Sequence, residues 1–384
     1  MKNSYLLSLL LFFLLLYSCN NQKQQLDKSI LSIDFKLEPN VLPSDILETA
    51  FIKLETNENC FIDKTITQVE FASDKLFILS GGNERSVYVF DISGNFITQI
   101  GTRGNGPGEY IMPMSFSIDC QRNIISILDL VQKQILEYDL NNFTFISEER
   151  MPYDSYCLEY LSDYKIIWQN LDYRSDYSTW AFLITDRDQN FLNKAIEKKF
   201  ITGYSTGRIK TMYKMDNKVF AYSQYDPYIY CFQDEDITAV YNLTFGKHQI
   251  PPVEYMQKIS ANNANFISEL VASDYISSYS VFDVGQTFCV YYSVAQTLYI
   301  GIHNKEVKRA YSYAQTVFQD HLQIGKIDRI AGVTDKYIVA ILQPFELLSK
   351  QTEGYVFAHD LQPLVEKSLS DDNPILCLFK IKTI

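Results

Sequence analysis

The chain reads as an all-β protein: a six-bladed β-propeller of four-stranded blades, its ring closed by strands from the N- and C-terminal ends. Three observations predict this. Short apolar-aromatic runs separated by turn residues fill the sequence after residue 45. Tyr (28) and Phe (25) are abundant, as suits rings packed on a pleated, half-buried surface. A phrase recurs around a polar turn residue at Asp91, Asp139, Asp186, Asp234 and Asn304, with gaps of 48, 47, 48 and 70 residues. The long gap holds a helix-like insertion of 23 residues at 251–273, and without it the gap is 47. A period near 47 with about four strands per unit is that of propeller blades, each of which buries its faces only against its neighbours. Seven blades are the runner-up, and a tandem of β-sandwiches would not give so even a spacing.

The first segment, "MKNSYLLSLLLFFLLLYSC", has one cation, Lys2, then an apolar run from Tyr5 to Tyr17. It reads as a secretory signal, because a spanning helix needs about 20 apolar residues. Leu16-Tyr17-Ser18-Cys19 resembles a bacterial lipobox. That resemblance implies cleavage after residue 18, lipidation of Cys19 and a tether over 19–45. Cleavage removes Lys2 and takes the net charge from −12 to −13. The tether has no acidic residue before Asp27. Surface-displayed lipoproteins of Bacteroidota often carry acids there, so the periplasmic face of the outer membrane is favoured over the cell surface.

Residues 46–384 form the propeller. In the first unit "KLFILS" (75–80), "SVYVFD" (86–91) and "NFITQIG" (95–101) are strands, and Gly94-Asn95 suit the turn between the last two. Copies follow at 134–149, 181–196 and 229–243, with a weaker one at 298–312. In the insertion, Pro251-Pro252 suit a helix start, and Val253, Met256, Ile259, Phe266, Ile267 and Leu270 fall mostly on one face. A sixth unit at 324–342 and 373–382 lacks a fourth strand. "ILETAFIKLET" (46–56) supplies it, and pairing of the two chain ends removes the open edges of the ring.

"TRGNGPGEY" (102–110) is the densest glycine patch in a chain with 15 Gly. It matches neither a P-loop nor a dinucleotide loop, because no Lys-Ser/Thr follows Gly108, the glycines stand at 104, 106 and 108, and a strand comes next. It reads as a connection between blades. Arg103 and Glu109 flank it, and pairing with each other is favoured over facing a ligand.

The passage "VYVFDISGNFITQIGTRGNGPGEYIMPMSFSID" (87–119) looks like an NHL-type repeat. More closely, the chain resembles the six-bladed β-propeller lipoproteins of Bacteroidota. "IKLET" (52–56), "PYIYCFQDEDITAVYNLTFGKHQIPP" (227–252) and "DDNPILCLFKIK" (371–382) share in the resemblance. It implies a fold and an envelope location, and it carries no reaction.

Chemistry is sparse. The four histidines, His248, His303, His321 and His359, form no H-x-H or H-E-x-x-H pattern, so neither a metal nor a cofactor is expected. No G-x-S-x-G is present. Acidic groups at 234–237 and 370–373 read as turns. Cys60, Cys120, Cys157, Cys231, Cys289 and Cys377 are spread out, several in strand-like runs, and read as buried free thiols. A net charge of −12 with no basic block speaks against nucleic acid. The polar-aromatic loops at 169–180 and 200–210 offer Tyr173, Arg174, Tyr204 and Arg208 for stacking on a glycan or peptide and for holding a carboxylate. The expectation is a lipid-anchored, non-catalytic envelope module that binds a protein partner or small ligand. The alternative is a glycan- or peptide-active hydrolase or lyase with acidic residues at the channel mouth.

Overall fold

The computed structural model describes residues 30–37, 40–62, 65–162, 164–173, 175–202, 210–233, 236–260 and 265–382. Ser32–Ile384 form one compact unit. Strand β1 (Leu31–Asp34) is followed by a helical turn, α1 (Pro43–Ile46), and by β2 (Leu47–Lys53). Blade one holds β3 (Ile66–Ala72), β4 (Lys75–Ser80), β5 (Val87–Asp91) and β6 (Phe96–Ile100). Two short strands, β7 (Thr102–Arg103) and β8 (Glu109–Tyr110), lead to blade two, with β9 (Pro113–Asp119), β10 (Ile124–Asp129), β11 (Gln134–Asp139) and β12 (Phe145–Arg150). Blade three has β13 (Ser155–Tyr160), β14 (Lys165–Asn170), β15 (Trp180–Asp186) and β16 (Phe191–Glu197). Blade four has β17 (Met212–Met215), β18 (Lys218–Ala221), β19 (Tyr228–Gln233) and β20 (Asp236–Thr244).

The insertion follows as two helices, α2 (Val253–Ser260) and α3 (Phe266–Ala272), where the sequence suggested one. Blade five has β21 (Ile276–Val284), β22 (Thr287–Val294), β23 (Thr297–Asn304) and β24 (Arg309–Ala314). After α4 (Gln315–Leu322), blade six has β25 (Ile327–Val333) and β26 (Ile338–Leu342). Helices α5 (Pro344–Thr352) and α6 (Gln362–Glu366) then precede β27 (Ile375–Ile381).

The ring closes as expected. β2 lies antiparallel to β27, from Leu47 opposite Ile381 to Lys53 opposite Ile375, and is the fourth strand of blade six. Part of the segment read as a tether takes regular structure, Leu31–Asp34 and the first residues of Pro43–Ile46. β1 is a fifth strand beside β20, with Phe35 N donating to Thr244 O at 2.8 Å, and the Phe35 ring packs between Phe245 and Phe288.

Burial explains the pattern of runs. β9, β10 and β26 are buried at every position, since a neighbouring blade covers each of their faces. A strand covered on both faces reads as a continuous apolar run rather than an alternation. The outer strand β12 is mostly exposed. Each of six apolar clusters is shared by two adjacent blades. Phe77, Leu79 and Val89 of blade one meet Phe116, Ile125 and Ile127 of blade two. Ile78 and Phe90 meet Val339 and Ile341 across the closure. A separate cluster, Met256, Ile259, Phe266 and Leu270, holds α2 and α3. Ile267, read as part of that face, is 37% exposed.

The repeated turn residue has one physical task. Asp91, Asp139, Asp186 and Asn304 each end the third strand of a blade. Each accepts backbone N–H bonds from the turn that follows, Asp91 from Ser93 and Asn95 and Asn304 from Glu306 and Val307. Such side-chain to backbone bonds fix tight turns. The Asn95 amide helps hold the Asp91 carboxyl below its ordinary pKa. Asp234 lies outside the described residues.

The glycine patch is a blade connection. Gly101 and Gly108 have φ of +65° and +72°. A Cβ on Gly101 would meet the Tyr138 hydroxyl at 2.4 Å, and one on Gly108 the Phe145 ring at 2.8 Å. Tyr110 is fully buried between the two blades, and its hydroxyl donates to Ile100 O at 2.9 Å. Cys60, Cys157, Cys231, Cys289 and Cys377 are buried and unbridged, whereas Cys120 is exposed, because it sits in the turn after β9.

Candidate functional site: the central channel

The first strand of every blade is its innermost strand. These strands meet in series, β9 with β13, then β17, β21, β25 and β3. β25 and β3 touch through a parallel bridge between Gly332 and Val69. They enclose a cavity of about 870 Å³ to which all six contribute. Because six strands face one axis, polar residues on different blades are brought together there.

Hydrogen bonds tie the wall from blade to blade. The Gln68 amide donates to Phe116 O at 2.7 Å and accepts from Phe116 N at 3.2 Å, linking blades one and two as a strand would. Ser115 Oγ donates to Tyr156 O at 2.6 Å, and Ser117 Oγ to Glu159 Oε2 at 2.8 Å, linking two and three.

Within this wall lies a charged triad. Lys210, just before blade four, places Nζ 2.6 Å from Glu70 Oε1 of blade one and 2.6 Å from Glu159 Oε1 of blade three. Blades one and four are opposite in a ring of six, so the lysine spans the channel. Glu159 is almost wholly buried, while Glu70 and Lys210 keep about a quarter and a fifth of their side-chain surface. Burial works against the Lys210 ammonium, but Glu159 and Glu70 outweigh it and hold its pKa above the ordinary lysine value. Glu70 is raised: burial dominates, and one ammonium shared by two carboxylates does not fully offset it.

A second pair, Asp283 with Lys305, stands on the wall of blade five, and Tyr213 donates to Asp283 Oδ2 at 3.4 Å. Burial raises the Asp283 pKa despite Lys305. Arg329 of β25 also lines the cavity, and its Nε is enclosed without a hydrogen-bond partner. Phe71, Met212, Phe282 and Ile330 supply apolar surface. Among the described residues, no group of three or more His, Cys, Asp or Glu is placed to hold a metal.

The residues singled out from the sequence lie elsewhere. Arg103 pairs with Glu84 at 3.6 Å and not with Glu109, which corrects the expected pairing. Glu109 closes its own turn, accepting from Gly106 N at 2.8 Å, and this draws it away from Arg103. Tyr173 is 43% exposed, and neither it nor Arg103 nor Glu109 lines the channel. Cys19, Arg174, Tyr204 and Arg208 lie outside the described residues. Sequence reading passed over Glu70, Glu159, Lys210 and Arg329. One signal was available: Glu70 and Glu159 are both the fifth residue of an inner strand, a carboxylate set between apolar or aromatic neighbours, Val69 and Phe71 in one and Leu158 and Tyr160 in the other.

A family model described as 6-bladed beta-propeller matches residues 20–341. The chain belongs to this family. Among solved structures it is similar to a Bacteroides fragilis protein described as exported, at 34% identity and a TM-score of 0.88, with 92% of this chain and 100% of that one covered. A Bacteroides vulgatus protein aligns at 11% identity with a TM-score of 0.55, covering 88% of this chain and 99% of that one, and bears on the fold alone. No curated protein matches the chain. The resemblance to six-bladed propellers of Bacteroidota is therefore borne out, and this family's ring of inner strands is what builds the channel. Among the described residues, no helix is long and apolar enough to cross a membrane.

Proposed function

We propose that the protein is a lipid-anchored envelope module that binds a small ligand in its central channel. The observation that carries this is the cavity of about 870 Å³, walled by all six blades and offering both charged and apolar groups. Such a mixed, concave site is the usual form of a small-molecule pocket. Glu70 and Glu159 both hold Lys210.

Export is supported by the N-terminal apolar run and by the similarity to a protein described as exported. Anchoring rests on Cys19 at the end of that run, and the tether composition favours the periplasmic face of the outer membrane. An envelope protein partner would then read the liganded state.

Native mass spectrometry of protein purified from its own cells tests the channel. A ligand-sized adduct is expected on the wild type and is lost in Ser278→Trp, which fills the channel wall. Identical spectra for the two refute the reading. Cys19→Ala is expected to release a folded protein from membranes, and full membrane retention without a lipid label refutes the anchor.

A further inference from the structure

We propose that Arg329 is the anchor of the channel ligand, and that it receives a carboxylate of a short peptide, the C-terminal one. This rests on the channel being the ligand site. Lys210 is matched by Glu70 and Glu159, and Lys305, next to the cavity, by Asp283. Of the remaining cations of the lining, Arg85 turns its Nε to Gly82 O at 3.4 Å, and Lys214 stands beside Arg329 in the wall as a flexible point charge. Arg329 is different. It stands on the innermost strand of blade six, lines the cavity, and has an enclosed Nε with no partner. Among the described residues, no carboxylate forms an ion pair with it.

The groups around it are engaged elsewhere. The Asp328 carboxylate accepts from Thr65 and, at 3.1 Å, from the Gln343 amide. Tyr291, near enough for the guanidinium to act on its phenol, donates to Gln315 Oε1 at 2.6 Å. That amide in turn donates to Ile327 O at 2.8 Å. An enclosed guanidinium N–H without an acceptor is costly and persists where something else supplies the acceptor.

The class of ligand follows from the rest of the wall. A guanidinium fork fits a carboxylate with two parallel bonds. The cavity lining carries six carboxylates against four cations, so a dianion such as phosphate meets net repulsion, whereas a single carboxylate is matched by Arg329. Phe71, Met212, Phe282 and Ile330 face the same space and suit an apolar body. Main-chain amides of a peptide would meet the Ser and Tyr hydroxyls of the wall, among them Ser278 and Tyr156.

The test uses the purified protein and two pools of N-acetylated tripeptides, alike except that one ends in a free carboxylate and the other in a carboxamide. Binding is read by ligand-observed NMR and calorimetry. The wild type is expected to bind the carboxylate pool and not the carboxamide pool. Arg329→Gln is expected to weaken that binding by roughly 30-fold or more, the cost of truncating one partner of a buried charge pair. The ligand-free Arg329→Gln protein is expected to melt no lower than the wild type, because the enclosed Nε has no hydrogen bond to lose.

Equal binding of both pools, undiminished binding by Arg329→Gln, no binding of either pool, or a lowered melting temperature of ligand-free Arg329→Gln each overturns the proposal. Binding that Arg329→Gln leaves intact and Ser278→Trp removes refutes the anchor but keeps the channel reading. Binding that neither variant touches refutes both.

Discussion

Lys210→Met removes the cation from between two carboxylates and leaves the channel otherwise built. Glu70 Oε1 and Glu159 Oε1 each lie 2.6 Å from Nζ, so they are at most about 5.2 Å apart. At an effective dielectric near 20, two unit charges at that separation repel by about 3 kcal/mol. Breaking a buried pair by removing one partner costs about 3–5 kcal/mol. The partial exposure of Glu70 and Lys210 lets water relieve some of this, which places the expected loss near 3 kcal/mol at pH 8. For a unit of this length the unfolding entropy corresponds to about 0.7 kcal/mol per degree, so the melting temperature is expected to fall by ~4 °C.

The pH dependence separates this from a simple packing defect. Glu70 has a raised pKa in the folded state, against 4.5 for the free group. Its contribution to stability is fully present below 4.5 and is lost as pH rises through the folded value. Without Lys210 that value rises further, so the variant regains stability on going from pH 8 to pH 5, as Glu70 takes a proton and the repulsion ends. Lys210, with its pKa raised above 10.5, stays charged over this window and adds no slope of its own in the wild type. Thermal melts of both proteins at pH 5 and pH 8 are the assay. A deficit smaller at pH 5 than at pH 8, and one that shrinks at pH 8 when Glu159→Gln is added, supports the reasoning. A deficit equal at both pH values refutes it.

Two further predictions concern the closure of the ring. A Cβ on Gly332 would lie 1.9 Å from the Val69 carbonyl oxygen, a backbone atom that cannot turn away. Gly332→Ala is therefore expected to part blades six and one at a cost of about 3 kcal/mol, and a denaturation midpoint equal to that of the wild type refutes this. Asn373 is fully buried, donates to Glu55 O at 2.6 Å and Cys60 O at 3.0 Å, and accepts from Ile62 N at 2.7 Å. Asn373→Ala orphans those groups and is expected to cost about 3 kcal/mol, with Asn373→Asp worse because a carboxylate has no proton to give the two carbonyls. Equal denaturant midpoints for all three proteins refute the role.

The turn residues at a period near 47, the apolar runs and the fourth strand lent by residues 46–56 were all legible in the sequence. Each is local: an Asp that caps its own turn, a strand that must be apolar because blades cover both faces, an end strand left without a partner. The patch at 102–110 was legible as a connection, yet the partners of its charges were not. Arg103 meets Glu84 from the preceding loop while Glu109 folds back on Gly106. The 251–273 insertion was visible by its apolar face, but its division into two helices was not. The channel had no local signal of comparable strength. Lys210 meets a carboxylate 140 residues before it, and Arg329 is distinctive only because its enclosed Nε meets no acceptor among the described residues. Pairing along a strand and turning at its end are decided within a few residues, so the sequence by itself determined the blades. Which side chains face one another across the axis depends on how six blades close around it, and only the closed ring decided that.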